Sequence, residues 1–290
     1  MLTIFTDTDT DITLKEAREY GIKMISMPYI INDKEVKPYE DFEEFDYHTF
    51  YETLRGGVLP TTCAVNTEVY RHYFEPELKA GNDILYIHFS RNMSGSFNAM
   101  DLTLSELKEE YPDRTVYTID TKGITILSNI IVKDIIDLIK GGMSVEEVLK
   151  WSEENVDKYA TYFFADSLKF FAKSGRVSGF AGFMGNLIGI KPIIYMDENG
   201  KMTNIGKEKG KRKAIARLVD YFEQLVVDPT NRRIIIGHSD SLENAQAVGA
   251  LLEEKYGKLH IEYVVVNPTA GSHCGPDTIG IAFYAKAKSL

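Results

Sequence analysis

The residues best suited to chemistry lie in five short segments. Asp7-Thr8-Asp9-Thr10-Asp11 alternates three carboxylates with two hydroxyls, directly after an apolar run. Such a set could hold a cation or handle phosphate. A calcium loop of the EF-hand type needs Gly at position 12 and Glu at position 18, which here are Ile12 and Arg18, so that reading fails. An Asp-x-Asp pair can also serve a magnesium-dependent phosphatase, one carboxylate attacking and another acting as acid and base. Gly237-His238-Ser239-Asp240 is a poor match to the second loop such a site needs, with His238 where an acid is expected. The plainer reading is a loop whose Asp and Thr side chains bond their own backbone and cap the next helix.

The other four segments favour anions. Thr61-Thr62-Cys63-Ala64-Val65-Asn66 places hydroxyls just before a helical pattern, where they can cap the helix or donate to an anionic oxygen at its positive end. Ser90-Arg91-Asn92-Met93-Ser94-Gly95-Ser96 lies between a strand and a helix, where ligands of α/β sheets gather. Ser94 lacks the Gly-x-Ser-x-Gly elbow, so anion binding is better supported than a hydrolase using Ser94 and His273. Arg176, among glycines, can bond a carboxylate or phosphate in two places. The apolar stretch after it carries Gly182, Gly185 and Gly189, either for close packing or for ligand space. Gly271-Ser272-His273-Cys274-Gly275-Pro276 reads as a glycine-rich turn, in which the histidine can donate to an oxyanion or act as a base, although a lone histidine is commonly structural. Cys63, His273 and Cys274 lack the spacing of a metal site, and no metal or other cofactor is expected.

Alternating apolar segments supply the positioning elements. Strands are expected at Leu2–Phe5, Lys23–Ile31, Ile84–Phe89 and Thr115–Ile119. Helices should run from Thr13 towards Gly21, over Asp46–Arg55 and Asn66–Lys79, from Ser94 towards Glu110, and over 124–140 and 144–154. This alternation argues for a mostly parallel sheet. Beyond a boundary near Asp157 the pattern mixes crossovers with a hairpin around Asp197–Gly200, which argues for a mixed sheet. The expected organisation is one domain over 1–290, with an N-terminal α/β lobe at 1–157 and a C-terminal α/β lobe at 158–290.

The formal net charge is −10, which lacks the basic footprint of a nucleic-acid binder and opposes adhesion to an anionic membrane. No apolar run reaches the roughly 18 residues that span a bilayer, and Met1–Asp9 lacks the features of a signal peptide. A cytoplasmic protein is expected, with no stable membrane insertion and with Cys63 and Cys274 as reduced thiols.

In order, and over almost the whole chain, these motifs resemble those of the DegV family. The family's early Asp-Ser-x-x-Asp falls on Asp7–Asp11, its Thr-Ser-x-Pro-Ser on Thr62–Asn66, and its Ser-x-x-x-Ser-Gly-Thr on Ser90–Ser96. Its Gly-Arg-hydrophobic-Ser falls on Gly175–Ser178, its Ile-Lys-Pro on Ile190–Pro192, and its Gly-x-His-x-Gly-Pro-Gly on Gly271–Asp277. Cys63, Val65, Asn66, Ser96, Cys274 and Asp277 depart from that pattern.

The resemblance implies two α/β lobes with a long-chain fatty acid, such as palmitate, buried between them. Thr62 and Ser94 would bond its carboxylate, Gly95 and His273 would join the head-group network, and Arg176 would lie near the site or a partner surface. Phe163, Phe164, Phe170, Phe180, Phe183, Met184 and Ile188 are candidates for the tail wall, and Cys63 and Cys274 for a thiol pair near the head group. The implied role is that of a bacterial lipid-binding carrier in lipid transport or fatty acid metabolism, without catalytic residues of its own. A separate fatty acid kinase, bringing ATP and magnesium, would phosphorylate the carboxylate.

Overall fold

The computed structural model describes residues 1–178 and 189–289. Strand β1 (Leu2–Asp7) enters a short 3-10 turn, Thr8–Thr10, and helix α1 (Leu14–Tyr20). Then come β2 (Lys23–Ile25), β3 (Tyr29–Ile31), β4 (Lys34–Val36), α2 (Tyr47–Arg55), β5 (Thr61–Thr62) and α3 (Thr67–Lys79). Strand β6 (Asp83–His88), α4 (Ser96–Glu110), β7 (Val116–Asp120), α5 (Ile126–Lys140) and α6 (Val145–Asn155) complete the first half. The second half contains β8 (Tyr159–Phe164), α7 (Lys169–Ser174), β9 (Val177–Ser178), β10 (Ile190–Met196), β11 (Met202–Lys209) and α8 (Lys211–Leu225). It ends with β12 (Arg233–His238), α9 (Leu242–Tyr256), β13 (His260–Val265), α10 (Pro268–Cys274) and β14 (Ile279–Tyr284).

The expected mixed α/β architecture is present. The first half forms a parallel sheet in the order β2-β1-β6-β7. The second forms a mixed sheet in the order β13-β12-β14-β8-β10-β11-β9. Strand β6 is a mostly buried, largely apolar run, as a central parallel strand covered on both faces requires, and β1 is buried over its second half, Phe5–Asp7. Both α1 and α6 begin with a capping box, Thr13 with Glu16 and Ser144 with Glu147. One apolar core, holding Phe5, Ile87, Ile130 and Ile194, extends from the parallel sheet to the mixed one.

Two local expectations are corrected. The run Lys23–Ile31 is two strands in two sheets, broken around Pro28, which has no N–H for a ladder. After the break, β3 pairs with β4 across Asn32 and Asp33, both with positive φ, and with β5 on its other side. Asn and Asp tolerate that conformation, so the dipeptide is a hairpin turn. The Gly271–Cys274 segment is not a turn but part of α10, capped by the Asn267 side chain and opened by Pro268 at its first position.

Candidate functional site

The C-terminal ends of β1 and β6, strand β5 and helix α10 converge on one cavity. The predicted residues Thr62, Ser94, Gly95, Arg176 and His273 all line it, as do both cysteines. Its wall is otherwise largely apolar, including Phe89, Met93, Phe163, Phe171, Met196 and Val266.

Local structure frees the Thr62 hydroxyl from capping. The cap of α3 is Asn66, whose side chain accepts from the Val69 N–H, so Thr62 has no capping duty. Thr62 sits instead in β5, opposite Tyr29, and its Oγ1 bonds His273 Nε2 at 2.9 Å. Burial, with the positive Arg176 nearby, lowers the His273 pKa to about 4, so the imidazole is neutral at pH 7. Ser94 precedes α4 rather than opening it. Its hydroxyl accepts from the Ser96 N–H at 3.2 Å and donates to Ser96 Oγ at 2.9 Å. Ser96 Oγ in turn accepts from the Val65 N–H at 2.9 Å, which ties the β5–α3 loop to the start of α4. Gly95, at the N-cap position of α4, has no side chain to occupy the amides there.

This geometry does not assemble a nucleophile. His273 bonds Thr62, while Ser94 bonds Ser96, and no serine–histidine bond joins the two. Arg176 is exposed, its guanidinium donating to the Ser174 carbonyl. Both thiols are held protonated: burial pushes Cys274 up to about 12, and burial with the nearby Glu35 raises Cys63.

The aspartate segment is buried and largely engaged by the protein. Asp7 Oδ2 accepts from Tyr86 OH at 3.0 Å and the Phe89 N–H at 3.1 Å, and Oδ1 accepts from the Asp9 N–H. Asp11 Oδ1 accepts from the Asn267 N–H at 2.8 Å and Nδ2 at 2.7 Å. Burial pushes both carboxyls up to about 7, against the pull of these donors. Among the described residues no group of three or more His, Cys, Asp or Glu is placed to hold a metal ion. Asp240, from the second candidate loop, is engaged by Arg55 and His48. The segment therefore gives a phosphatase no support.

Of the predicted tail wall, Phe163 lines the cavity but Phe164 does not, because adjacent strand residues face opposite sides of a sheet. Phe170 packs away from it, against Tyr51 and Leu54, and Phe171 takes the wall position. Phe180, Phe183, Met184 and Ile188 lie outside the described residues. Sequence reasoning overlooked Asp9 and Thr125 as lining residues. The Asp9 loop was conspicuous, but nothing in the sequence alone says which of its carboxyls faces a cavity.

A family model described as "Uncharacterised protein, DegV family" matches residues 1–286. A DegV domain-containing protein of Clostridium perfringens is 32% identical over 285 residues, 98% of each chain. Two solved structures share the fold. A DegV lipid-binding protein from Thermotoga maritima has TM-score 0.84 at 22% identity, covering 99% of each chain. A DegV family protein from Thermus thermophilus, described by its fatty acid binding, has TM-score 0.83 at 22% identity over 100% of this chain and 99% of that one.

Proposed function

The chain belongs to the DegV family, and from that premise we propose that it binds a long-chain fatty acid by its carboxylate and acts as a carrier rather than an enzyme. The observation that carries this reading is one cavity joining an apolar wall to Thr62, Ser94, Gly95 and His273. The Thermotoga and Thermus relatives, described as lipid-binding and fatty-acid-binding, support it.

The physical requirements agree. A carboxylate taken from water into an apolar cleft must be hydrogen-bonded or it takes up a proton. The Thr62 and Ser94 hydroxyls, the Gly95 amide and a neutral His273 N–H are donors suited to that task, with Arg176 adding positive charge. Each buried methylene contributes roughly 0.8 kcal/mol, so the tail dominates affinity and the head group sets orientation.

In this reading Ser94 and His273 are ligand donors and take no part in hydrolysis. Any phosphorylation of the bound carboxylate falls to a separate fatty acid kinase, with this protein as its substrate-presenting partner in fatty acid metabolism. No helix among the described residues is long and apolar enough to cross a membrane, and the proposed carrier works in the cytoplasm.

The test is mass spectrometry of an organic extract of the denatured protein. A near-stoichiometric fatty acid is expected. A clean extract, together with no uptake of added palmitate or oleate, would reject the carrier reading.

A further inference from the structure

Ser90 opens the loop that carries Ser94 and Gly95, but it does not line the cavity. It is fully buried, and each of its polar groups is engaged. Its N–H donates to the Gly123 carbonyl at 2.6 Å, and its own carbonyl accepts from the Met93 N–H at 3.1 Å. Its hydroxyl donates to the carbonyl of Gly200, 110 residues away, at 2.7 Å, and the neighbouring Asn92 Nδ2 donates to the Asn199 carbonyl at 2.6 Å. Asn199 and Gly200 lie at the tip of the β10–β11 hairpin. Asp197 stiffens that tip, its Oδ1 accepting from the Asn199 and Lys201 N–H groups at 2.9 Å each. Gly200 has φ +71°, and a Cβ there would lie 2.3 Å from Ser90 Oγ, so the close approach depends on glycine.

This contact joins the second half of the chain to the head-group loop of the first. One short 3-10 turn, Arg91–Met93, separates Ser90 from Ser94. Beyond it the hydrogen bonds continue from Ser94 to Ser96, and from Ser96 to the Val65 N–H in the loop after Thr62. A donor held in place before its ligand arrives surrenders less freedom on binding. We infer that Ser90, braced with Asn92 against the hairpin tip, is a positioning residue for carboxylate recognition and acts through Ser94.

The inference rests on the fatty-acid-binding reading, with Ser94 as a carboxylate donor, and adds the group that holds that donor. Ser90 is not itself a ligand donor, because a hydroxyl has one proton and Gly200 takes it. A packing role and a positioning role have different consequences. General loosening of the fold weakens the hold on head and tail together. A displaced Ser94 weakens only the bond to the charged head, and leaves a neutral long-chain ligand bound as before.

The experiment titrates delipidated full-length protein with palmitate and with the alcohol of the same chain length. Ser90→Ala should lower the palmitate-to-alcohol affinity ratio about fivefold, the worth of one net hydrogen bond, with alcohol binding within about twofold of wild type. In a Ser94→Ala background the same substitution should change the ratio by no more than about twofold, because the residue it positions is gone. Asn92 is exposed, so should Ser90→Ala fail to fold, Asn92→Ala takes its place and must lower the ratio. An unchanged ratio, an equal loss for both ligands, or an effect undiminished in the Ser94→Ala background overturns the inference. Any of these, in a protein whose wild type binds palmitate, rejects this inference alone. Failure of wild type to bind either ligand rejects the carrier reading as well.

Discussion

The Thr62 and Ser94 hydroxyls each have a bonding partner within the protein, at 2.9 Å from His273 and from Ser96. A carboxylate entering the cavity therefore exchanges neutral hydrogen bonds for charge-assisted ones, which are the stronger kind. A hydrogen bond to a charged group is worth about 1.5–3 kcal/mol. Thr62→Val and Ser94→Ala should each weaken fatty-acid binding by roughly 10- to 100-fold. Titration with palmitate and with a long-chain alcohol separates head from tail, since the alcohol brings no charge and should lose much less. Unchanged palmitate affinity in the double variant would remove both residues from the head-group site. At this scale the grouping of Thr62, Ser94 and His273, which share one cavity wall, came from the family resemblance, because their residue types alone suited capping or structural duty equally well. Asp9 was read as part of an acidic loop, and its place on the cavity wall depends on how that loop packs beneath α5. Phe163 and Phe164 show the same gap. Alternation says that they face opposite ways, but not which one meets the ligand.

Strands β12 and β14 meet α5 at two glycines. A Cβ at Gly237 would lie 2.4 Å from Ile126 Cγ2, and one at Gly280 would lie 2.9 Å from Phe163 Cβ and 3.1 Å from Ile126 Cδ1. All four residues line the cavity. The glycines thus create space where helix, strands and ligand cavity meet. Gly237→Ala should push Ile126 aside, costing about 1–3 kcal/mol for overpacking, and should leave less room for the tail. The expected result is a lower melting temperature and an extracted fatty-acid population shifted to shorter chains. An unaltered chain-length profile would dissociate this floor from ligand selection. Regular elements such as β6, α5 and α6 were readable from periodicity and caps. The β3–β4 hairpin was not, because Lys23–Ile31 read as one run and Asn32-Asp33 is a weaker turn signal than Asn-Gly. Helix α10 escaped because Gly271 within it and Gly275 just after it suggested a turn, although Asn267-Pro268 carries the cap and first-position proline of a helix start.

For the whole molecule, the sequence pattern conveyed a parallel sheet followed by a mixed one, but not how the far end of the chain closes over the first loop. Asp11 accepts both of its hydrogen bonds from Asn267, 256 residues away. That closure buries Asp11 and moves its carboxyl from an ordinary value to about 7, with Glu16 reinforcing the rise and Lys133 opposing it. In the unfolded chain an aspartate titrates near 3.9. Between about pH 4 and 7 the folded protein therefore holds a proton that the unfolded chain has released, and stability falls as pH rises through that window. His273 acts in the opposite sense. Its folded pKa is depressed to about 4, so its contribution is present above the unfolded value near 6.5 and is lost as pH falls. Subtracting a variant isolates the Asp11 part. Asp11→Asn keeps an oxygen for Asn267 and places an amide at Oδ2, which has no partner in the folded protein. Asp7 and His273 remain in both proteins and cancel to first order, whereas Asp9, whose rise Asp11 reinforces, loses part of that rise in the variant and adds to the same trend. Urea unfolding at a series of pH values should show wild type losing stability relative to Asp11→Asn as pH rises from about 4 to 7, by on the order of 3 kcal/mol in total. The difference should level off above the folded pKa, where both states are ionised. Parallel curves, or a wild type that gains stability on the variant with rising pH, would mean that Asp11 is ionised in the folded protein.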